Sequence, residues 1–151
     1  MSLQENIETV KRFFVAMDQR DREGLLSLTA EDMEWIIPGE DWPLAGVYRG
    51  HAGLTNLLRM ASTAVQTSYP ESLEFVAQGD RVLAVGVATG RIKATNKTFE
   101  DHFVFAITVR NGKLTNIREY IDTQALARAS AAEPTPPKAL REVGEQVDSG
   151  A

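Results

Sequence analysis

The chain contains no cysteine, which excludes disulfide staples, thiolate nucleophiles and thiolate metal sites together. Its 2 histidines, His51 and His102, stand at no spacing that suits a metal ion, so no metal site is expected. No Gly-x-Gly-x-x-Gly or phosphate-loop pattern occurs, and no cofactor is expected. Long apolar runs are missing as well: nothing approaches the roughly 20 residues that span a bilayer. The opening MSLQENIETVKRFF lacks the basic start and apolar run of a signal peptide. Positive charge is in deficit, with 16 Lys and Arg against 21 Asp and Glu, a net charge of -5. That balance argues against nucleic acid or an anionic membrane surface as partner. The expectation is a cytoplasmic, single-domain protein.

What is present is an ordinary globular composition, 43% hydrophobic and 25% charged. Ser2-Leu3-Gln4-Glu5 matches the capping box, in which the Ser and Glu side chains each satisfy an orphan backbone donor. Ile7, Val10, Phe13, Phe14 and Met17 then recur at helical spacing to about Gln19. Asp21 can cap a second short helix with Leu25, Leu26 and Leu28 on its apolar face. Met33, Trp35 and Ile37 alternate with Asp32, Glu34 and Ile36 in a short strand stopped by Pro38-Gly39. From His51, the stripe Leu54, Leu57, Leu58, Ala61 and Val65 predicts a third helix closed before Pro70.

The pattern then switches to period two. Leu73, Phe75 and Ala77 predict one strand, Gly79-Asp80 a turn, and Arg81 to Thr89 a second strand whose Gly86 reads as a bulge or bend. Asn96-Lys97 turns the chain into two further strands, 98–110 and 113–123, joined by Asn111-Gly112. Asn-Gly between apolar runs is the strongest short-range hairpin signal, because both residues tolerate positive φ. Three helices followed by a four-stranded antiparallel meander is an α+β order. Residues 131–151 form a tail of different character. A proline-rich spacer, Ala131 to Pro137, precedes a stripe of Leu140, Val143 and Val147; the alternatives are a disordered tail and one that docks on the chain's own domain or on a partner.

Val10-Lys11-Arg12-Phe13-Phe14, Asp21 with Gly24-Leu25, Glu31-Asp32-Met33-Glu34-Trp35 and Pro38-Gly39 resemble the N-terminal half of SnoaL-like proteins. Asn111-Gly112-Lys113-Leu114 and Arg118-Glu119-Tyr120-Ile121-Asp122-Thr123 are similar to the closing hairpin of the same family. These proteins belong to the nuclear-transport-factor-2-like (NTF2-like) superfamily, together with ketosteroid isomerase, limonene epoxide hydrolase and the SnoaL polyketide cyclase. The resemblance covers about residues 3–130. It implies a cone-shaped, cystatin-like fold: three N-terminal helices packed on a strongly curved antiparallel sheet around a central pocket.

The resemblance also sorts the chemistry. The tyrosine of ketosteroid isomerase falls at Phe13 here, its aspartate base at Ile37, and its second aspartate near Phe105. All three polar groups are replaced by hydrocarbon, so steroid isomerisation by that mechanism is not expected. The acidic residue that SnoaL-like cyclases carry on the last strand corresponds to Glu119. Asp101, Arg118 and Glu119 match the residue types of the hydrolase's Asp-Arg-Asp relay, but Arg118 faces away from Glu119 by alternation.

The expected catalytic pair is therefore Glu119 and Asp101, both in the hairpin. Glu119 lies between Ile117 and Ile121, and Asp101 among Phe99, Phe103 and Phe105. A carboxyl desolvated by such neighbours is pushed towards neutral pH, where it can exchange protons. The alternatives are a rim ion pair for Glu119 and a strand end in water for Asp101. Phe13, Trp35, Ile37, Phe103, Phe105 and Ile121 are expected to contact the ligand. Trp42 is expected to stay shallow in its Pro- and Gly-rich loop and to act as a lid. His102 should point outwards. The expected function is a cofactor-independent, isomerase- or cyclase-type enzyme, with hydrolase-like chemistry as the further option, acting on a small apolar molecule. The alternative is a non-catalytic binding module. A homodimer is expected because the outward face of the meander carries Val104 and Ala106.

Overall fold

The structure, a computed structural model, describes residues 2–40 and 42–131. The expectations for the tail beyond Ala131 lie outside the described residues. Helix α1 (Leu3–Gln19) starts at the expected capping box: the Glu5 amide donates to Ser2 Oγ at 3.0 Å and the Ser2 amide to Glu5 Oε1 at 2.8 Å. It ends where Arg20 turns left-handed, at φ 55°. Asp21 caps α2 (Arg22–Leu28) by accepting from the Gly24 amide at 2.9 Å. Strand β1 (Thr29–Ile37) then buries Met33, Trp35 and Ile37 on one face, as alternation requires. After β2 (Gly46–Arg49) comes α3 (Gly50–Ala64), which buries Leu54 and Leu57.

Strands β3 (Val65–Ser68), β4 (Glu74–Gln78), β5 (Arg81–Ile92), β6 (Thr98–Arg110) and β7 (Lys113–Tyr120) follow, and α4 (Thr123–Ser130) ends the described chain. The Asn111-Gly112 turn joins β6 to β7 with both residues at positive φ, 52° and 75°. Among the described residues the sheet has seven strands, in the order β2-β1-β7-β6-β5-β3, with β4 also on β5. The expected meander forms its middle. All pairings are antiparallel except β1 with β7, which places the N-terminal strand beside the C-terminal one. The sheet curls around the helices as an α+β cone, the fold that the sequence implies.

Four details differ from the expectation. The helical stripe ends at Leu58 and Ala61, because Val65–Ser68 leaves α3 to pair with Thr89–Ile92. Strand pairing outweighs the periodicity that included Val65. Strand β2 and helix α4 were not expected, and with α4 the described residues hold four helices, not three. Gly86 marks no bulge, since β5 and β6 stay in continuous register from Arg81↔Thr108 to Arg91↔Thr98. Leu73 Cδ2 occupies the space that a Cβ at Gly86 would need, so the glycine makes room for a neighbour.

The narrow part of the cone is filled with rings. Phe14 packs edge-on against Phe105 at 5.1 Å between centroids and Phe103 edge-on against Phe105 at 5.3 Å, while Phe13 meets Trp35 at a tilt, 5.6 Å away. Offset and edge-to-face pairs of this kind add about 0.5–1.5 kcal/mol each beyond the area they bury. This aromatic plug sets the depth at which the open part of the cone begins.

Candidate functional site

The open part of the cone is a cavity of about 420 Å³. That volume lies in the range of small-molecule sites, roughly 300–1,000 Å³. Its walls are largely apolar: Leu25 from α2, Ile37 from β1, Leu57 from α3, Phe99 from β6 and Leu126 from α4 all line it. Trp42 and Leu44 close one side from the β1–β2 loop. Against this hydrocarbon stand two carboxyls, Asp101 and Glu119, and one phenol, Tyr69.

Glu119 faces inwards from β7 because Leu114, Ile117 and Glu119 share the buried side of that strand, while Arg118 and Tyr120 face out. Its side chain is 9% exposed. Oε1 accepts a hydrogen bond from Trp35 Nε1 at 2.7 Å. The parallel register sets Trp35 opposite Ile117, so the indole reaches one inward step along β7 to find the carboxyl. Burial raises the Glu119 pKa from 4.5 to about 8; the Trp35 hydrogen bond opposes that rise, and the nearby Asp101 charge adds to it. No basic side chain pairs with Glu119 among the described residues, so the rim ion pair is ruled out there.

Asp101 is also buried, at 8% exposure, and not a strand end in water. Its inward position follows the alternation of β6, on which Phe99, Asp101, Phe103 and Phe105 are buried in turn. Phe105 lies opposite Glu119 in the β6–β7 register, so Asp101 sits four residues further along the same face. Asp101 Oδ1 accepts from the Asp122 amide at 2.7 Å, and Asp122 caps α4 through the Ala125 amide at 3.0 Å. Asp101 thus ties β6 to the start of α4. Burial pushes its pKa up; the Asp122 backbone bond and His102 lower it, and the Asp122 charge raises it.

Of the expected site residues, Glu119, Asp101, Trp35, Ile37, Trp42 and Ile121 line the cavity. Phe13, Phe103 and Phe105 do not, which corrects the expectation for these three. Trp35 and Tyr69 stand between them and the open space: both pack on Phe105 at 6.3 Å, Trp35 covers Phe13, and Tyr69 lies on Phe103 at 5.8 Å. Trp42 is likewise corrected. It is 8% exposed and part of the wall, since the neighbouring Leu44 carbonyl is anchored by the Tyr48 hydroxyl at 2.7 Å.

Tyr69 was not anticipated. It lies just beyond β3, which the sequence concealed inside the third helix, and only the pre-proline position hinted at extended backbone there. Its hydroxyl pKa is raised well above the usual value by burial, then by the Glu119, Asp101 and Asp18 charges. It therefore remains a neutral donor at the site. The histidines stand apart from the site. His102 is exposed and 3.6 Å from Glu100, and His51 Nε2 lies 3.0 Å from the Thr29 carbonyl, joining α3 to β1. Among the described residues no group of three His, Cys, Asp or Glu side chains could hold a metal ion. No helix there is long and apolar enough to cross a membrane.

The mouth of the cavity has a different character. Its exposed lining includes Arg20 from the turn after α1, Arg22 from the start of α2, and Arg59 from α3.

Residues 10–117 match the SnoaL-like domain. An NTF2-like protein of Burkholderia xenovorans, known as a crystal structure, is 66% identical, with 87% of this chain and 99% of that one covered at a TM-score of 0.79. TerC, co-crystallised with polyporic acid, is 30% identical over 83% of this chain and 97% of its own, at a TM-score of 0.68. A putative polyketide cyclase from Xanthomonas campestris, at 19% identity and a TM-score of 0.74, shares the fold over 85% of this chain and 98% of its own. Sequence match, cone and cavity agree: this chain belongs to the SnoaL-like family of the NTF2-like superfamily.

Proposed function

We propose that the protein is a cofactor-independent acid/base enzyme of isomerase or cyclase type, acting on a small, largely apolar molecule bound in the cone. One observation carries this reading: Glu119 is a carboxyl in the wall of an apolar cavity, held by an indole N–H and raised to about 8. A group of that kind is mostly protonated at pH 7 and gives up its proton with little cost, as a general acid and returning base must. Oε1 is taken by Trp35, and Oε2 has no partner among the described residues. Oε2 is therefore the oxygen that would exchange the proton with a carbonyl or enol group. Tyr69, neutral and close to both carboxyls, would donate to negative charge developing on the substrate. Asp101 would act by keeping the Glu119 proton in place, since its charge opposes ionisation of Glu119. TerC, related in sequence and co-crystallised with polyporic acid, supports reading the cavity as a small-molecule site.

The test is Glu119→Gln, assayed on a panel of carbonyl, enol and epoxide compounds with ligand affinity measured in parallel. The expected result is a fall in rate of about 100-fold or more, with affinity nearly unchanged. If no activity on any member depends on Glu119, the catalytic reading is lost. A second reading, a binding module without turnover, is favoured by one observation. Asp101 is committed to the Asp122 backbone amide, which leaves Glu119 without a second free base. We also propose that the protein acts as a homodimer through the outer face of the sheet.

A further inference from the structure

We propose that the ligand is an amphipathic carboxylate, its apolar body in the cone and its carboxylate held at the mouth by Arg20, Arg22 and Arg59. This inference rests on the cavity being the ligand site, as proposed above, and adds the class of molecule that it takes.

Three separate elements contribute these exposed arginines to the lining of the one cavity. None is paired with a carboxylate among the described residues. The ion pairs found there use Lys11, Arg49, His102 and Arg110. Arg59 gives one N–H to Asn56, and the guanidiniums of Arg20 and Arg22 have no hydrogen-bonded partner among those residues. Unpaired positive charge is unexpected in a chain of net charge -5. The acids nearest in sequence, Asp18, Asp21 and Glu23, form no ion pair with these arginines among the described residues. Asp18 accepts from the Tyr69 amide at 2.9 Å, and Asp21 from the Gly24 amide at 2.9 Å. Both carboxylates thus face backbone donors and leave the arginines to the opening.

The backbone does not ask for arginine at residue 20 either. At φ 55° it occupies a helix-end position that glycine or asparagine fills more easily. The cavity's own carboxyls, Asp101 and Glu119, are buried. Glu119 is bonded to Trp35 against the aromatic plug, while the arginines are exposed. Apolar wall from Leu25, Leu57 and Trp42 accompanies them. A ligand oriented by this gradient would place its anionic end outwards and its reactive, uncharged end near Glu119. Arginine suits a carboxylate because its planar fork can bind both oxygens.

The experiment compares matched probes, 2-naphthoate with 2-naphthamide and 4-(2-naphthyl)butanoate with its amide. Trp35 and Trp42 line the cavity, so quenching of their fluorescence in the full chain reports binding. The expected result is a preference of about tenfold for at least one carboxylate over its amide, a size that a few exposed ion pairs together can supply. The triple variant Arg20→Gln, Arg22→Gln, Arg59→Gln should lose that preference while keeping its affinity for the amide. Salt at about 0.5 M should weaken the preference in the wild type and leave the triple variant unchanged. Equal affinity for acid and amide in the wild type overturns the inference, as does a preference that survives in the triple variant or binding of neither pair. Glu119→Gln separates the two claims: it should cut turnover by about 100-fold or more and retain the carboxylate preference. A carboxylate preference in a wild type that turns over no member of the panel sinks the catalytic reading alone.

Discussion

Trp35 Nε1 donates to Glu119 Oε1 at 2.7 Å across the parallel pairing of β1 and β7. The two residues are 84 positions apart, and the bond exists only because the last strand of the meander returns beside the first strand of the chain. The same indole covers Phe13 and Phe105, so the residue that closes the aromatic plug also orients the carboxyl above it. Packing and chemistry meet at one side chain, and most of the expected behaviour of the site follows from it.

Stability should fall as pH rises through the Glu119 window. The folded protein holds this proton up to about pH 8, whereas an unfolded glutamate releases it near 4.5. Between those values the native state binds the extra proton, so folding is favoured at the acid end and loses stability towards pH 8. At about 1.4 kcal/mol per pKa unit the loss is of order 4–5 kcal/mol for this buried group. Thermal melts of wild type and Glu119→Gln from pH 5 to 9 measure it. The variant should show a much shallower decline, with the remainder coming from Asp101, whose pKa is raised in the same direction. Parallel curves for the two proteins would remove the case for a raised Glu119.

Trp35→Phe keeps a ring over the plug and removes the donor. Leaving a buried carboxyl oxygen unpaired should cost about 1–3 kcal/mol. Because the indole bond holds the Glu119 pKa down against burial, its loss should raise that pKa further. Titration of the Glu119 carboxyl by carbon NMR reads this directly. A midpoint that stays put or moves down would show that the indole does not govern the carboxyl.

Much of the fold was legible because its local signals agreed. The Ser2–Glu5 capping box opens α1, Asp21 caps α2, and Asn111-Gly112 turns the hairpin, each through contacts within three residues of the chain. The inward settings of Glu119 and Asp101 followed from simple alternation. What stayed hidden depends on distant partners. Val65 fits the α3 stripe and becomes a strand residue only by meeting Ile92. Tyr69 reaches the site by way of that strand, and the Asp101 bond to Asp122 depends on α4, which no expectation contained. Phe13, Phe103 and Phe105 had the right face but the wrong depth, since alternation cannot tell the plug from the cavity wall.

Asp101 should separate into a structural acceptor and a charge. Asparagine keeps an oxygen for the Asp122 amide at 2.7 Å, whereas alanine leaves that amide without its partner. Asp101→Ala is therefore expected to lose about 1–3 kcal/mol and Asp101→Asn clearly less. Both remove the repulsion that helps to raise Glu119, so both should lower the Glu119 midpoint. Thermal denaturation and the same carbon titration measure the two effects separately. Equal destabilisation by Asn and Ala would mean that the hydrogen bond does not anchor α4.

The outer face of the sheet supplies the last test, through Val104. On the face away from the cavity, Val104 pairs with Val85 on β5 and Tyr120 on β7. Leu83, Val87 and Ala106 surround it half-buried, and Val76 and Tyr120 at the margins are about half exposed, at 51% and 49%. An apolar face of this kind fits association with a second copy of the chain. Val104→Lys leaves the cone's interior untouched and would place a charge in the middle of that contact. Sedimentation equilibrium at micromolar concentration should show a dimer for the wild type and a folded monomer for the variant, with cavity ligands still bound. A monomeric wild type at that concentration rules out the dimer, and an undiminished Val104→Lys dimer places its interface elsewhere.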